Sequence, residues 1–399
     1  MHIVFFGDQH PDSLGGAQVS MRLQKKYLER AGHTVTIVAP RMHSSRMLPA
    51  DAAVPASDVV ALPSVAITRD REYSFTWPGR RTDVFIDMEF ARRKPVDVVH
   101  VQADFWGALA GYRFAHRHGL PVVHTMHNRV DVGLAAVTRL HRPALAVLNA
   151  WRRWALRERG RQPTGTDGWA YLRGLAAGAM AVTAPSGHFA RRLERHSVYE
   201  SVDVVWNGID DELVDSLLEN RPARDPAQRP RLLWIGRMSP EKRLLPFLEA
   251  VVEAGIDADI DVVGSGGQMQ AAQRIAQRAQ GSSIRFLGPE PYRAVLQRIQ
   301  RADAVVQTSV GFETQGMTPF EAAALGTPSI VCDPDIAAEL GGGLWQVPDA
   351  TQLAATLRRA VNDIAAAVAP SPLAAVGENF RQSSRTAAML AVYERVLGR

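Results

Sequence analysis

The chain has 399 residues, 46% hydrophobic and 22% charged, too long for one ordinary core and composed like a soluble globular protein of two domains. A formal net charge of +5 is too mild to argue for a nucleic-acid partner, and no zinc-finger or RNP-type motif is present. The single cysteine, Cys332, excludes an intramolecular disulfide and a cysteine-cluster zinc site and fits a reducing compartment.

The first apolar run, His2–Gly7, ends at Asp8 without a basic leader region or a cleavage site. It therefore predicts a buried strand rather than a signal peptide. No uncharged apolar run nears the roughly 20 residues of a membrane-spanning helix, so a cytoplasmic location is expected. A helix over 17–31 follows, with Val19, Leu23, Tyr27 and Leu28 near helical spacing and Gly32 as terminator. Strands are predicted over 33–39, 96–101, 121–126, 179–184 and 203–206, with a helix at Trp106–His118. The rhythm slackens through 219–231, rich in Arg, Pro and Asp, then restarts. Strands over 231–235, 258–263, 284–286, 304–307 and 329–332 alternate with helices over 240–254, 268–279, 292–302 and 319–325. This βαβ alternation predicts two α/β layers with mostly parallel sheets, whose ligands bind at the carboxyl ends of the strands.

Two stretches of the second half carry chemistry. Gly311-Phe312-Glu313-Thr314-Gln315-Gly316-Met317-Thr318-Pro319-Phe320-Glu321 sets two glutamates in a Glu-x7-Glu spacing. Thr318 suits an N-cap and Pro319 the first helical position, with Glu321 placed to close a capping box. The N–H groups at such a helix start suit a phosphate; alternatively Glu321 only closes the box and Glu313 is a solvated loop residue. Ile235-Gly236-Arg237-Met238-Ser239-Pro240-Glu241-Lys242 runs from strand to helix with Ser239 as N-cap. Cations are disfavoured at a helix's positive pole, so Arg237 and Lys242 there make sense if a polyanion joins them. Alternatively Glu241 neutralises Lys242 and both cations are solvated.

The order Gly-Arg-x4-Lys, Val263-Gly264-Ser265-Gly266, Phe286-Leu287-Gly288, Glu-x7-Glu and Ala324-Leu325-Gly326-Thr327-Pro328 resembles the retaining GT-B glycosyltransferases. This is the group 1 type that includes bacterial mannosyl- and glucosyltransferases acting on lipids and polysaccharides. The resemblance implies two Rossmann-like domains with parallel sheets facing a central cleft: residues 1–205 on the acceptor side, 206–380 binding the donor, and 381–399 as a terminal helix crossing back. It implies that Arg237 and Lys242 hold the donor diphosphate, that Glu313 contacts the donor sugar and phosphate, and that Glu321 binds the ribose. Gly264, Gly316, Met317 and Thr318 then belong to the donor loops. In the first half, Gly15 and Gly16 would lie under the diphosphate, and His127, in Val122-Val123-His124-Thr125-Met126-His127-Asn128, would contact the sugar near its anomeric centre. His100 and His124 are read as packing or supporting residues, and Gly208 of Asn207-Gly208-Ile209-Asp210 as a hinge. Thr314 and Gln315 depart from the small and aromatic residues usual at those places, which puts donor identity in question.

The expected activity is transfer of a hexose, with retention, from a GDP-mannose- or UDP-glucose-type donor to a lipid-linked or polysaccharide acceptor of the cell envelope. The donor is a co-substrate; no cofactor and no metal are expected, because Arg237, Lys242 and helix N-termini can offset the charge of the leaving diphosphate. Asp333-Pro334-Asp335 mimics a metal-binding D-x-D but reads as a turn. The resemblance implies same-face attack, the departing phosphate taking the acceptor proton. The alternatives are a catalytically silent nucleotide-sugar-binding protein and a UDP-sugar epimerase of the same fold. Finally, 140–161 holds Arg142, Arg152, Arg153, Arg157, Arg159 and Arg161 against Glu158, interleaved with Leu145, Val147, Leu148, Trp151, Trp154 and Leu156. On a helix Val147, Trp151 and Trp154 share one face and Arg152, Arg153 and Arg157 much of the rest. That pattern fits peripheral contact with an anionic membrane at its inner face, or else an apolar face packed on the core.

Overall fold

The computed structural model describes residues 1–13, 15–44, 53–69, 71–137, 140–157, 165–221 and 228–398, with the backbone alone over 134–137. It divides into two compact units, residues 1–208 with 385–399, and residues 209–384.

The first unit is built on β1 (His2–Gly7), β2 (Thr34–Pro40), β3 (Val59–Leu62), a short antiparallel ribbon of β4 (Val65–Ala66) and β5 (Ser74–Phe75), then β6 (Val98–Gln102), β7 (Val122–Thr125), β8 (Ala181–Ala184) and β9 (Val202–Val204). Its seven-stranded sheet runs β3-β2-β1-β6-β7-β8-β9, with parallel pairing that sets Phe5 between Ile37 and His100. Parallel strands are buried on both faces, and the residues alternate accordingly. Val4, Phe6, Val99 and Val101 pack with Leu109 and Phe114 of the helix Trp106–His118. Ile3, Phe5, Ile37, Val98 and Val123 pack with Met389, Val392 and Tyr393 of the helix Gln382–Leu397.

The second unit repeats the plan with β10 (Arg231–Ile235), β11 (Asp259–Val263), β12 (Ser283–Gly288), β13 (Ala304–Gln307), β14 (Ser329–Val331) and β15 (Leu344–Gln346). The sheet order is β12-β11-β10-β13-β14-β15, all parallel. Leu232, Trp234, Ile260, Val262, Val306 and Ile330 bury one face under Phe247, Leu248, Leu357 and Ile364. In both units the chain winds outward from the first strand, then returns to wind the other way. The direction reverses between β1 and β6, and between β10 and β13. Such reversals leave a crevice at the carboxyl ends of the two strands, the position where open α/β sheets bind ligands.

Several local expectations are corrected. The helix predicted over 240–254 is a 3-10 turn, Pro240–Lys242, followed by an α-helix Leu244–Ala254. Arg243 between them takes a left-handed backbone with φ 56, which breaks the helical hydrogen-bond ladder. Thr318 does not cap its helix: the helix begins at Met317, and Gly316, left-handed with φ 75, turns the chain into it. Glu321 closes no capping box, because its carboxylate is taken by Tyr292. Asp333 is not a turn residue but the N-cap of a helix Pro334–Leu340, accepting from the Asp335 and Ile336 amides. On the helix His141–Leu156, Arg152 is buried rather than solvated, and donates to the carbonyls of Ala170 and Tyr171 at 2.7 and 2.8 Å. Glu158, Arg159 and Arg161 lie outside the described residues.

Candidate functional site

In the second unit the loops after β10 and β11 are laced together at the winding reversal. The Met238 amide donates to the Ser265 carbonyl at 2.8 Å, and the Gln268 amide to the Met238 carbonyl at 3.1 Å. Gly264 has φ 126, and a Cβ there would stand 2.0 Å from the Gly236 carbonyl oxygen. Only glycine combines that backbone with so close an approach. Lys242 is fastened from the far side of the reversal: Thr308, just after β13, donates to its carbonyl at 2.6 Å and accepts the Trp234 indole N–H at 2.9 Å.

So anchored, the Lys242 ammonium forms an ion pair with the Glu313 carboxylate, to which the Ser309 hydroxyl also donates at 2.7 Å. Asp333 holds the start of that loop by accepting the Gly311 amide at 2.7 Å while it caps its own helix. The structure thus joins Lys242 and Glu313 directly. Arg237 stands apart from that pair: its side chain is 68% exposed, with Glu241 at 3.6 Å. A cation held against a carboxylate in a strand-end loop can transfer its hydrogen bonds to an incoming phosphate, whose oxygens match it in charge and geometry. Glu321 belongs to a separate buried contact, accepting the Tyr292 hydroxyl at 2.8 Å. Burial raises its pKa to about 7, against the smaller lowering effect of the tyrosine hydrogen bond. Gly316, Met317 and Thr318 form the turn and first helical residues between the two glutamates. Gln315, one of the departures noted in the sequence, is buried there.

In the first unit, Gly15 stands just before the helix Gly16–Arg30, its carbonyl accepting the Val19 amide at 3.1 Å. His127 follows β7 and is partly buried; burial lowers its pKa, with Asp104 pulling the other way and His124 adding to the lowering. Asp104, fully buried, accepts the amides of His127 at 3.0 Å and Asn128 at 2.8 Å and the Asn128 side-chain amide at 2.7 Å. Burial opposes its ionisation, but contacts with His124, His127 and Asn128 outweigh that and hold its pKa below the ordinary value. Asp8, at the end of β1, accepts the amides of Asp104, Phe105 and Gly107 at 2.8, 3.1 and 2.8 Å. Its pKa rises to about 7 through burial and the neighbouring Asp104 charge. A relay of carboxylates from β1 to β6 therefore fixes the loop that carries His127. His124 donates to the Ala103 carbonyl at 2.8 Å, and His100 bonds Thr125 and Tyr393 at 2.7 and 2.6 Å, so both support the strands rather than face a ligand. Asp8, Asp104, Thr308, Ser309, Tyr292 and the capping role of Asp333 were not singled out from the sequence. For the first four, the available signal was a polar residue set directly after an apolar strand.

Comparison with known proteins agrees with this architecture. The model of "Glycosyltransferase Family 4" matches residues 14–213, and that of "Glycosyl transferases group 1" matches residues 229–363. The alpha-monoglucosyldiacylglycerol synthase of Streptococcus pneumoniae is 25% identical over 344 residues, covering 83% of this chain and 70% of that protein. The D-inositol 3-phosphate glycosyltransferase of Pseudarthrobacter chlorophenolicus is 25% identical over 338 residues, covering 79% and 73%. Among solved structures, Anabaena HepE in complex with UDP superposes with a TM-score of 0.67 at 15% identity, over 99% of this chain and 100% of that one. Two parallel-sheet α/β units with these neighbours are the GT-B fold. A family model spanning half of the sequence, over strands wound as described, places the chain in glycosyltransferase family 4.

Proposed function

We propose that the chain is a retaining hexosyltransferase whose second unit binds a nucleotide-sugar diphosphate between Lys242, Arg237 and the Gly264 loop. The observation that carries this reading is the Lys242–Glu313 pair, pinned by Thr308 and Ser309 at the winding reversal of the second sheet. In this reading Lys242 and Arg237 stabilise charge as it develops on the leaving diphosphate, which is the task an acyl or phosphoryl enzyme assigns to preorganised donors or a metal. Glu313, released from Lys242, contacts the sugar, Glu321 takes the ribose, and the Gly316–Thr318 turn offers its amides. Gly15, Gly16 and His127 serve the sugar from the first unit's strand ends. The acceptor is a lipid-linked or glycan hydroxyl; the name of the alpha-monoglucosyldiacylglycerol synthase relative supports the lipid-linked alternative. The donor is a co-substrate and no cofactor or metal takes part.

Lys242→Ala is expected to weaken nucleoside-diphosphate binding by about 1.5–3 kcal/mol, the usual value of a charge-assisted hydrogen bond. Arg237→Ala, removing a mostly exposed side chain, is expected to cost less. Calorimetric titration with UDP and GDP measures both, and wild-type affinity in the lysine variant overturns the assignment. Slow release of free sugar from the matching donor without acceptor separates a transferase from a silent binding protein. Turnover that persists in excess EDTA supports the cation mechanism, and loss that Mg²⁺ restores refutes it. NMR of the first-formed glycoside reads retention directly.

A further inference from the structure

We propose that the face of the first unit carrying Trp77, Trp154 and Val147 docks on an anionic bilayer surface. The side chains form a continuous row. Trp106, whose indole donates to the Asp8 carbonyl at 2.6 Å, meets Phe75 with ring centres 5.3 Å apart. Phe75 meets Trp77 and Trp151 at 6.0 Å each, and Trp77 meets Trp154 at 5.7 Å. The row therefore runs outward from the β1 strand end, beside the Asp104 relay that holds His127, to two tryptophans exposed by 57% and 58%.

The helix His141–Leu156 turns a different face to the core. Leu145, Asn149, Arg152 and Ala155 are its buried residues, so the apolar side with Val147, 68% exposed, and Trp154 is surplus to packing. Large exposed aromatics gathered in one patch mark an interaction surface. Among the described residues the charge around them is mainly positive. Arg80 and Arg81 follow Trp77 closely, and Arg142, Arg153 and Arg157 line the helix; Arg153 is partly buried and the other four are exposed. The nearby acids are turned away, Asp83 to Arg113 and Arg117, and Asp87 to Arg117 and His118. Tryptophan beside aliphatic side chains, rimmed by arginine, is the composition of an interfacial membrane contact, and each cation near an anionic surface adds to it. A glycan platform would instead set polar side chains about the rings. The surface rests on the transferase reading only for what it delivers, a lipid-borne acceptor brought to the strand-end edge; binding itself needs no donor.

Sedimentation of the full chain with phosphatidylglycerol-containing and pure phosphatidylcholine vesicles tests it. Binding to the first and not the second, weakened by salt, is expected. Trp77→Ala with Trp154→Ala should lower vesicle affinity at least about tenfold, and Arg80→Ala with Arg81→Ala and Arg153→Ala should lower it similarly. Both variants should keep wild-type thermal unfolding and UDP or GDP binding, which shows that they fold. Absence of binding at low ionic strength, or binding equal in wild type and variants, overturns the proposal. So does loss of affinity for a soluble oligosaccharide in the tryptophan variant with vesicle binding unchanged. Because the readout contains no sugar transfer, its failure is distinct from failure of the enzymatic assignment.

Discussion

Glu321 carries an ionisation that the folded protein resists. Its pKa, raised from 4.5 to about 7 by burial, means that the folded state holds a proton the unfolded chain releases. The associated stability is full below pH 4.5 and falls as pH rises through about 7. Glu321→Gln keeps an oxygen for Tyr292 and removes the titration. Between pH 5 and 8 the wild type should lose about 2–3 kcal/mol relative to this variant, measured by urea unfolding at each pH; parallel profiles would refute the buried ionisation. The order of Lys242, Glu313 and Glu321 was legible in the sequence, where the spaced motifs carry the resemblance that implies their donor-binding roles. Tyr292, Ser309 and Thr308 were not, since a hydroxyl acquires a role only when folding brings it to a partner, here 29, 4 and 66 residues away.

Among elements, the loops after β10 and β11 work as one piece. Gly264→Ala drives a Cβ into the Gly236 carbonyl at an unfavourable φ, with an expected cost of roughly 2–4 kcal/mol. Thermal melting should show the loss, together with weaker nucleoside-diphosphate binding, because the Arg237 loop is displaced. Most strands were readable from apolar runs, whereas the short edge strands β3 and β15 and the β4–β5 ribbon were not predicted, and the helix over 240–254 was misjudged because nothing in Arg243 announces a left-handed backbone. The helix His141–Leu156 misled in another way. Arg152 reads as polar surface, yet its guanidinium lies over Gly174, where an added Cβ would stand 1.8 Å from the guanidinium carbon. A small residue on the partner helix makes room for a buried charge, a coupling between two positions that periodicity cannot display. Gly174→Ala should therefore unseat Arg152 and cost about 1–3 kcal/mol, with Arg152→Met in the same chain recovering part of the loss. Additive losses in the double variant would contradict the coupling.

For the whole molecule, two mostly parallel sheets were visible in the alternation of strand and helix signals, while the strand order and its reversals came only from the structure. The covering of the first sheet was implied by the resemblance, which returns 381–399 to the first half, and not by any local pattern, because residues 385–399 are separated from that sheet by the entire second unit. Tyr393, fully buried, bonds His100 at 2.6 Å, and with Met389 and Val392 it closes over Ile3, Phe5, Ile37 and Val98. During synthesis this matters for timing. The first unit emerges from the ribosome early, but one face of its sheet stays bare until residues 385–399 have followed the whole second unit out, even if that unit has already folded. An amino-terminal nascent chain is thus a waiting intermediate with an apolar sheet face open to chaperones and to misassociation. Stalled ribosome complexes ending before residue 385 should leave the first unit sensitive to protease, and complexes that expose residues 385–399 beyond the exit tunnel should protect it.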